Sequence, residues 1–125
     1  MSQPKRILVV DDDAPVVELL REVLVDQDYE VDTASTGSQA LERIRAEIYD
    51  AAIVDFGLPD MDGVTLHHRI RQLDDELAGH TIFISGMSQT EDNLGYFAAY
   101  SRGFLSKPFE VREVLAAVRG IFAAD

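Results

Sequence analysis

Four apolar runs in this chain stop on side chains that can do chemistry. ILVVDDD ends on Asp11, Asp12 and Asp13, AAIVD on Asp55, TIFIS on Ser85, and FLSKP on Lys107 before Pro108. After Asp55 comes Phe56-Gly57-Leu58-Pro59. An apolar run that stops on one carboxylate and then breaks at Gly and Pro reads as a buried strand that delivers an acid to a sheet edge. If the four strand ends meet, Asp55 stands among acids, a hydroxyl and an ammonium.

Such a group has a definite chemistry. Two carboxylates about 4 Å apart repel by about 4 kcal/mol at an effective dielectric of about 20. A cluster of Asp11, Asp12 and Asp55 therefore needs protons or a cation. Hard carboxylate oxygens without His or Cys favour Mg²⁺, with Mn²⁺ as an alternative. Mg²⁺ takes one or two protein carboxylates, keeps waters and welcomes phosphate oxygens. Asp12 and Asp55 are thus expected as direct ligands, with Asp11 acting through water. A carboxylate is also a covalent nucleophile that makes an acyl phosphate, and that role is expected of Asp55. Lys107 supplies a positive charge to the phosphoryl group, and Ser85 a hydroxyl donor. Gly86 lets a phosphoryl group approach its backbone amide closely.

The elements that position these ends alternate along the chain. Residues 6–10 form a short β-branched strand, buried on both faces. Asp13-Ala14-Pro15 starts a helix, with Asp13 as cap and Pro15 in the first turn. Val16, Val17, Leu20, Val23 and Leu24 follow at helical spacing. Residues 30–34 are a more polar edge strand. Ala40, Leu41, Ile44 and Ile48 mark a second helix, and Leu66, Ile70 and Leu73 a third. Residues 74–79 read as a polar connection into the strand at 81–85. A fourth helix, 91–100, is poorly specified because Gly95 lies inside it. Residues 103–106 are the last strand, and Val111, Val114, Leu115, Val118, Ile121 and Phe122 make the last helix strongly amphipathic. Strand then helix, five times over, implies one α/β domain with a parallel sheet between helices. Its ligand site lies outside the carboxyl ends of the strands.

Composition narrows the function. The 125 residues suit one domain, and 46% hydrophobic content suits a folded one. A net charge of −12 argues against nucleic-acid contact and against an anionic membrane surface. The absence of cysteine excludes disulfides and thiolate metal sites. No stretch has the apolar length of a membrane span or a signal peptide, so a cytoplasmic location is expected.

The chain resembles the receiver domain of two-component response regulators over essentially its whole length. The acidic pair in VVDDD, the segment VDFGLPDMDG, the hydroxyl residue in FISG, and FLSKPF carry the resemblance. Each alone is weak; all four, in order and suitably separated, are highly specific. The resemblance implies a flavodoxin-like (βα)5 domain with strand order 2-1-3-4-5 over residues 1–125, with 5–123 as the folded core; no output domain is expected within these residues, which suit a stand-alone receiver or a domain of a larger regulator or hybrid kinase. It implies that Asp55 is phosphorylated by a histidine kinase or a histidine phosphotransfer protein. It implies Mg²⁺ on Asp12, Asp55 and the Gly57 carbonyl, with Asp11 outside, and Ser85, Lys107 and the backbone of Phe56 and Gly86 around the phosphoryl group. A cis Lys107–Pro108 bond belongs to the same pattern. Ser85 and Phe104 fall at the switch positions, where hydroxyl and aromatic ring move together and a partner or attached domain reads the change.

Several residues depart from the family pattern or carry blander readings. Tyr100 and Ser101 replace a frequent Gly-Ala, which puts the usual activation surface in question and leans toward receivers at the ends of hybrid kinases. Gly57 and Met87 stand at positions that tune acyl-phosphate hydrolysis, and neither orients a water, so a long-lived phosphorylated form is expected. Asp60 and Asp62 read as turn formers rather than a Ca²⁺ loop, and Gly63 as the source of backbone freedom in that turn. His67, His68 and His80 have no metal spacing; His67 and His68 read as surface or partly packed. Two other functions use the same residues. A Mg²⁺-dependent phosphohydrolase with an aspartyl-phosphate intermediate, of the haloacid dehalogenase type, would show multiple turnover on small phosphate esters. A scaffold that is never phosphorylated would not bind Mg²⁺.

Overall fold

A computed structural model of the chain describes residues 4–85 and 103–124. Gly86, Met87, Tyr100, Ser101 and the expected helix at 91–100 lie outside the described residues. Five strands, β1 (Arg6–Val10), β2 (Glu30–Ala34), β3 (Ala51–Asp55), β4 (Thr81–Ser85) and β5 (Gly103–Ser106), form one sheet. All four pairings are parallel, and the order is β2-β1-β3-β4-β5. Around it lie the helices α1 (Ala14–Asp26), α2 (Gly37–Ala46), α3 (Gly63–Leu73), α4 (Asp75–Gly79) and α5 (Val111–Ala124).

The alternation of side chains along each strand splits the core in two. Leu8, Val10, Ala52, Val54 and Phe83 pack with Leu41, Leu66, Ile70 and Leu77 of α2, α3 and α4. Ile7, Val9, Ala51, Ile53, Ile82 and Ile84 pack with Leu20 and Leu24 of α1 and Val114, Val118 and Ile121 of α5. With both faces covered, β1, β3 and β4 are apolar through their interiors, which is why they read so clearly in the sequence. β2 lies at the edge, and its half-buried residues fit the more polar EVDTA.

The helix ends differ from expectation in instructive ways. Asp13 occupies the N-cap position of α1, but its side chain makes no capping bond; its own amide donates to Asp11 Oδ1 at 3.0 Å. Ile48 is 82% exposed, because α2 ends at Ala46 and the chain turns before the next apolar position. Tyr49 is buried instead and donates to Asp32 Oδ2 at 2.7 Å. The connection after α3 contains the single turn α4, started by Asp74, whose Oδ1 accepts from the Leu77 amide at 3.0 Å. His67 is buried rather than partly packed, between Ala78, whose carbonyl accepts from Nε2 at 2.8 Å, and the edge of the Phe83 ring.

Candidate functional site

Sheet order and register bring the strand ends together. β1 lies between β2 and β3, so the strand order reverses there and a crevice opens at the carboxyl ends. Val10 pairs with Val54, which sets Asp11 level with Asp55. Asp55 pairs with Ile84, so Ser85 extends one residue beyond it. Ser85 pairs with Ser106, so Lys107 follows at the rim, and the Lys107 amide donates to the Ser85 carbonyl at 2.8 Å. The Lys107–Pro108 bond is cis.

One oxygen from each of Asp11, Asp12 and Asp55 lies within 4.8 Å of the others. Asp11 and Asp55 are buried, and Asp12 is exposed at the mouth. Lys107 Nζ sits 3.0 Å from Asp11 Oδ2 and 3.5 Å from Asp55 Oδ1. Burial, the largest cause, raises the Asp55 carboxyl above its ordinary value; Asp11 and Asp12 push the same way, and Lys107 opposes them without reversing the shift. Burial alone would lower the Lys107 ammonium, but Asp11 and Asp55 overcome it and hold Lys107 charged. Two buried carboxylates thus share the Lys107 ammonium, with Asp12 beside them at the mouth. Asp11 Oδ2 is fully buried, and its partner among the described residues is the Lys107 ammonium at 3.0 Å. Three acids whose oxygens gather within 4.8 Å, with an ammonium against only two of them, make an all-oxygen donor set that fits a hard divalent cation.

The remaining expected residues take varied places. Ser85 is buried at the end of β4. Phe104 pairs with Phe83 in the sheet and packs, half-buried, against the core on the α2 and α3 side. Phe56 donates its amide to the Ile84 carbonyl at 2.8 Å, and Gly57 forms an isolated bridge with Asp62. Asp13 is exposed and outside the acidic group. Gly86 lies outside the described residues.

Asp60, Asp62 and Gly63 do more than form a turn. Asp62 caps α3 through the Thr65 amide at 2.7 Å. Asp60 caps the amides of Gly37 and Ser38 in α2 instead. Gly63 needs no unusual backbone angle; it is glycine because a Cβ there would meet Phe56 Cδ2 at 2.6 Å and the Phe56 Cα at 3.1 Å. The DMDG run gave a sequence signal for a turn, but none for a partner 23 residues away.

Comparison with known proteins agrees with this geometry. The family model for the response regulator receiver domain matches residues 7–119. The transcriptional regulatory protein DltR of Streptococcus agalactiae is 34% identical over 114 residues, covering 91% of this chain and 50% of that protein. The chain spans about half the length of the curated relatives it matches. Among solved structures, a CheY-like response regulator receiver domain protein from Methanospirillum hungatei superimposes with a TM-score of 0.89 at 28% identity, covering 97% of this chain and 95% of that one. The response regulator TrrA from Thermotoga maritima, solved in complex with Mg²⁺-BeF, gives 0.81 at 32% identity, covering 94% and 98%.

Proposed function

The chain belongs to the response regulator receiver domain family, a signalling module of two-component systems, and from that premise we propose that Asp55 is its phosphoacceptor. The observation that carries this reading is the Asp55 carboxylate at the end of β3, inside a three-acid group and 3.5 Å from the Lys107 ammonium. Its phosphoryl donor is the phosphohistidine of a histidine kinase or a histidine phosphotransfer protein. An Asp55 carboxylate oxygen attacks phosphorus, a P–O bond forms and the P–N bond breaks. The bond's electrons leave with the imidazole, which departs neutral because its other nitrogen carries a proton.

Asp12, Asp55 and the Gly57 carbonyl would hold Mg²⁺, with Asp11 acting through water; Mn²⁺ satisfies the same donor set. When bound, the cation neutralises negative charge on the phosphoryl oxygens. Lys107 already faces Asp55, and its charge balances the anion that arrives there. The Ser85 hydroxyl and the backbone of Phe56 and Gly86 contact the phosphoryl oxygens. Ser85 and Phe104 carry the switch, through their neighbouring strand ends. The support for Mg²⁺ is the all-oxygen group of three acids described above, together with the cation held by TrrA.

The whole chain acts as one receiver in the cytoplasm and catalyses only its own phosphorylation and dephosphorylation. Among the described residues no helix is long and apolar enough to cross a membrane. Output passes to a partner or an attached domain, and this domain itself, at a net charge of −12, makes no nucleic-acid contact. The test is intact mass after incubation with a small acyl-phosphate donor, with and without Mg²⁺, on the parent and Asp55→Asn. The expected result is one Mg²⁺-dependent phosphoryl adduct in the parent and none in the variant. Equal labelling of both would remove Asp55 from this role.

A further inference from the structure

The loop between β3 and α3 is tied down along its whole length. It begins with the Phe56 amide on the Ile84 carbonyl at 2.8 Å. It is drawn together by the bridge between Gly57 and Asp62. It ends with Asp62 capping α3 at the Thr65 amide, 2.7 Å away. Between these ties, Asp60 leaves its own segment. Its Oδ1 accepts from the Gly37 amide at 2.8 Å, and its Oδ2 accepts from the Ser38 amide and the Ser38 hydroxyl, each at 3.0 Å. These donors hold the Asp60 carboxyl below its ordinary range. Beside it, Met61 lies so close to Gly37 that a Cβ there would meet the Met61 side chain at 2.6 Å.

These contacts are more than the cap of α2, because α2 has a cap already. Thr36 Oγ1 accepts from the Gln39 amide at 3.0 Å. The Gly37 and Ser38 amides are first-turn donors with no partner inside the helix. By taking them, Asp60 fastens the middle of the loop to a helix that carries none of the acids. The segment so fastened also contains Gly57, an exposed glycine with no side chain to anchor it.

We propose that Asp60 is a positioning residue, which clamps this loop onto α2 and thereby fixes the Gly57 carbonyl for cation binding. The inference rests on the metal site proposed above. Mg²⁺ demands near-ideal octahedral geometry at short distances. A backbone carbonyl in a loop meets that demand only where the loop is held. Asp60 touches neither the cation nor the phosphoryl group, so its effect is on affinity for the cation.

The experiment is an NMR titration of the full chain with MgCl₂, for the parent, Asp60→Ala, Asp60→Asn and Thr36→Ala. Asp60→Ala is expected to weaken Mg²⁺ binding about tenfold, as loss of groups that orient metal ligands does elsewhere. Asp60→Asn retains one acceptor oxygen and is expected to fall between parent and Ala, whereas a purely long-range charge effect would make the two variants equal. Thr36→Ala removes the other hydrogen bond at the start of α2, from the Gln39 amide, while keeping both Asp60 oxygens and their donors, and is expected to bind Mg²⁺ like the parent. Parental affinity in Asp60→Ala overturns the clamp while leaving the metal site intact. So does an equal loss in Thr36→Ala, which would reduce the effect to helix stability, and so does equality of the Asn and Ala variants. A parent that does not respond to Mg²⁺ overturns the metal site and the clamp with it.

Discussion

Asp55→Asn should make the metal-free protein more stable even as it removes the phosphoacceptor. The three acids lie within 4.8 Å of one another. At that separation and an effective dielectric of about 20, the repulsion between Asp55 and Asp11 is about 3.5 kcal/mol. Asp12 is exposed, which reduces its share toward about 1 kcal/mol, the value in bulk water. Against these, Lys107 at 3.5 Å attracts Asp55 by about 5 kcal/mol on the same footing. The pairwise interactions nearly cancel, so the cost of burying an ionised carboxylate that is only 8% exposed decides the sign. That cost is the main reason the Asp55 carboxyl is raised despite Lys107. Asparagine has no charge to bury, and the expected gain is about 1–2 kcal/mol, at the low end of polar burial costs measured by mutation. For a domain of this length that corresponds to a rise in Tm of about 4–8 °C. The assay is thermal and urea unfolding followed by circular dichroism, in chelator and low salt near neutral pH. The gap carries a pH signature. A raised carboxyl contributes stability that is present below the unfolded value, about 3.9, and lost as pH rises through the folded one. The two proteins should therefore converge as the pH falls toward that value. Saturating Mg²⁺ should also narrow the gap, because the parent gains more from a ligand that binds only the folded state. An asparagine variant less stable than the parent without metal, or a gap indifferent to pH, would refute the reasoning.

The same packing makes opposite predictions elsewhere. Lys107→Ala strips two buried carboxylates of their cation and should destabilise the metal-free protein by about 1–3 kcal/mol, a broken buried pair discounted for the partly exposed lysine; a denaturant midpoint at or above the parent's would contradict this. Two helical glycines should respond in opposite directions. Gly63→Ala drives a methyl into Phe56 and should cost up to about 2 kcal/mol once an overpacking penalty of about 1–3 kcal/mol is set against the roughly 1 kcal/mol better helix propensity of alanine. A Cβ at Gly120 meets nothing within 4 Å, so Gly120→Ala should add about 1 kcal/mol; equal shifts in unfolding midpoint would show that packing does not govern these sites. His67 is held below its ordinary value, chiefly by burial. Its contribution is present above the unfolded value, about 6.5, and lost as pH falls through the folded one. His67→Gln should accordingly flatten the fall in stability on mild acidification, and parallel stability profiles for parent and variant would exclude that role.

What was legible in the sequence follows from where each constraint is local. β1, β3 and β4 announce themselves because strands covered on both faces are apolar through their interiors. A polar residue that breaks such a run marks the strand's carboxyl edge, and in a parallel sheet those edges converge. Asp11, Asp12, Asp55, Ser85 and Lys107 therefore belong together by pattern alone, and the register through Val10–Val54 and Ser85–Ser106 brings those strand ends side by side. The last helix was equally plain, since Val114, Val118 and Ile121 share one buried stripe.

The misread residues depend on partners far along the chain. His67 is polar in type yet fully buried, because Ala78 and Phe83 supply the carbonyl and the ring edge that make burial tolerable. Ile48 has an apolar side chain at a helical interval, but α2 stops two residues earlier and Tyr49 enters the core in its place. Gly63 resembles a flexible turn residue, while the structure uses only its lack of a Cβ beside Phe56. Asp60 combines all of these difficulties: its residue type suits a turn, and its own neighbours give it one to form. Its partners are amides that only the completed fold sets within 3.0 Å. The acids that would hold the cation lie at strand ends and are written in the local pattern. The tie that steadies the Gly57 loop is a tertiary contact, so periodicity can locate this site but cannot reveal how firmly it is held.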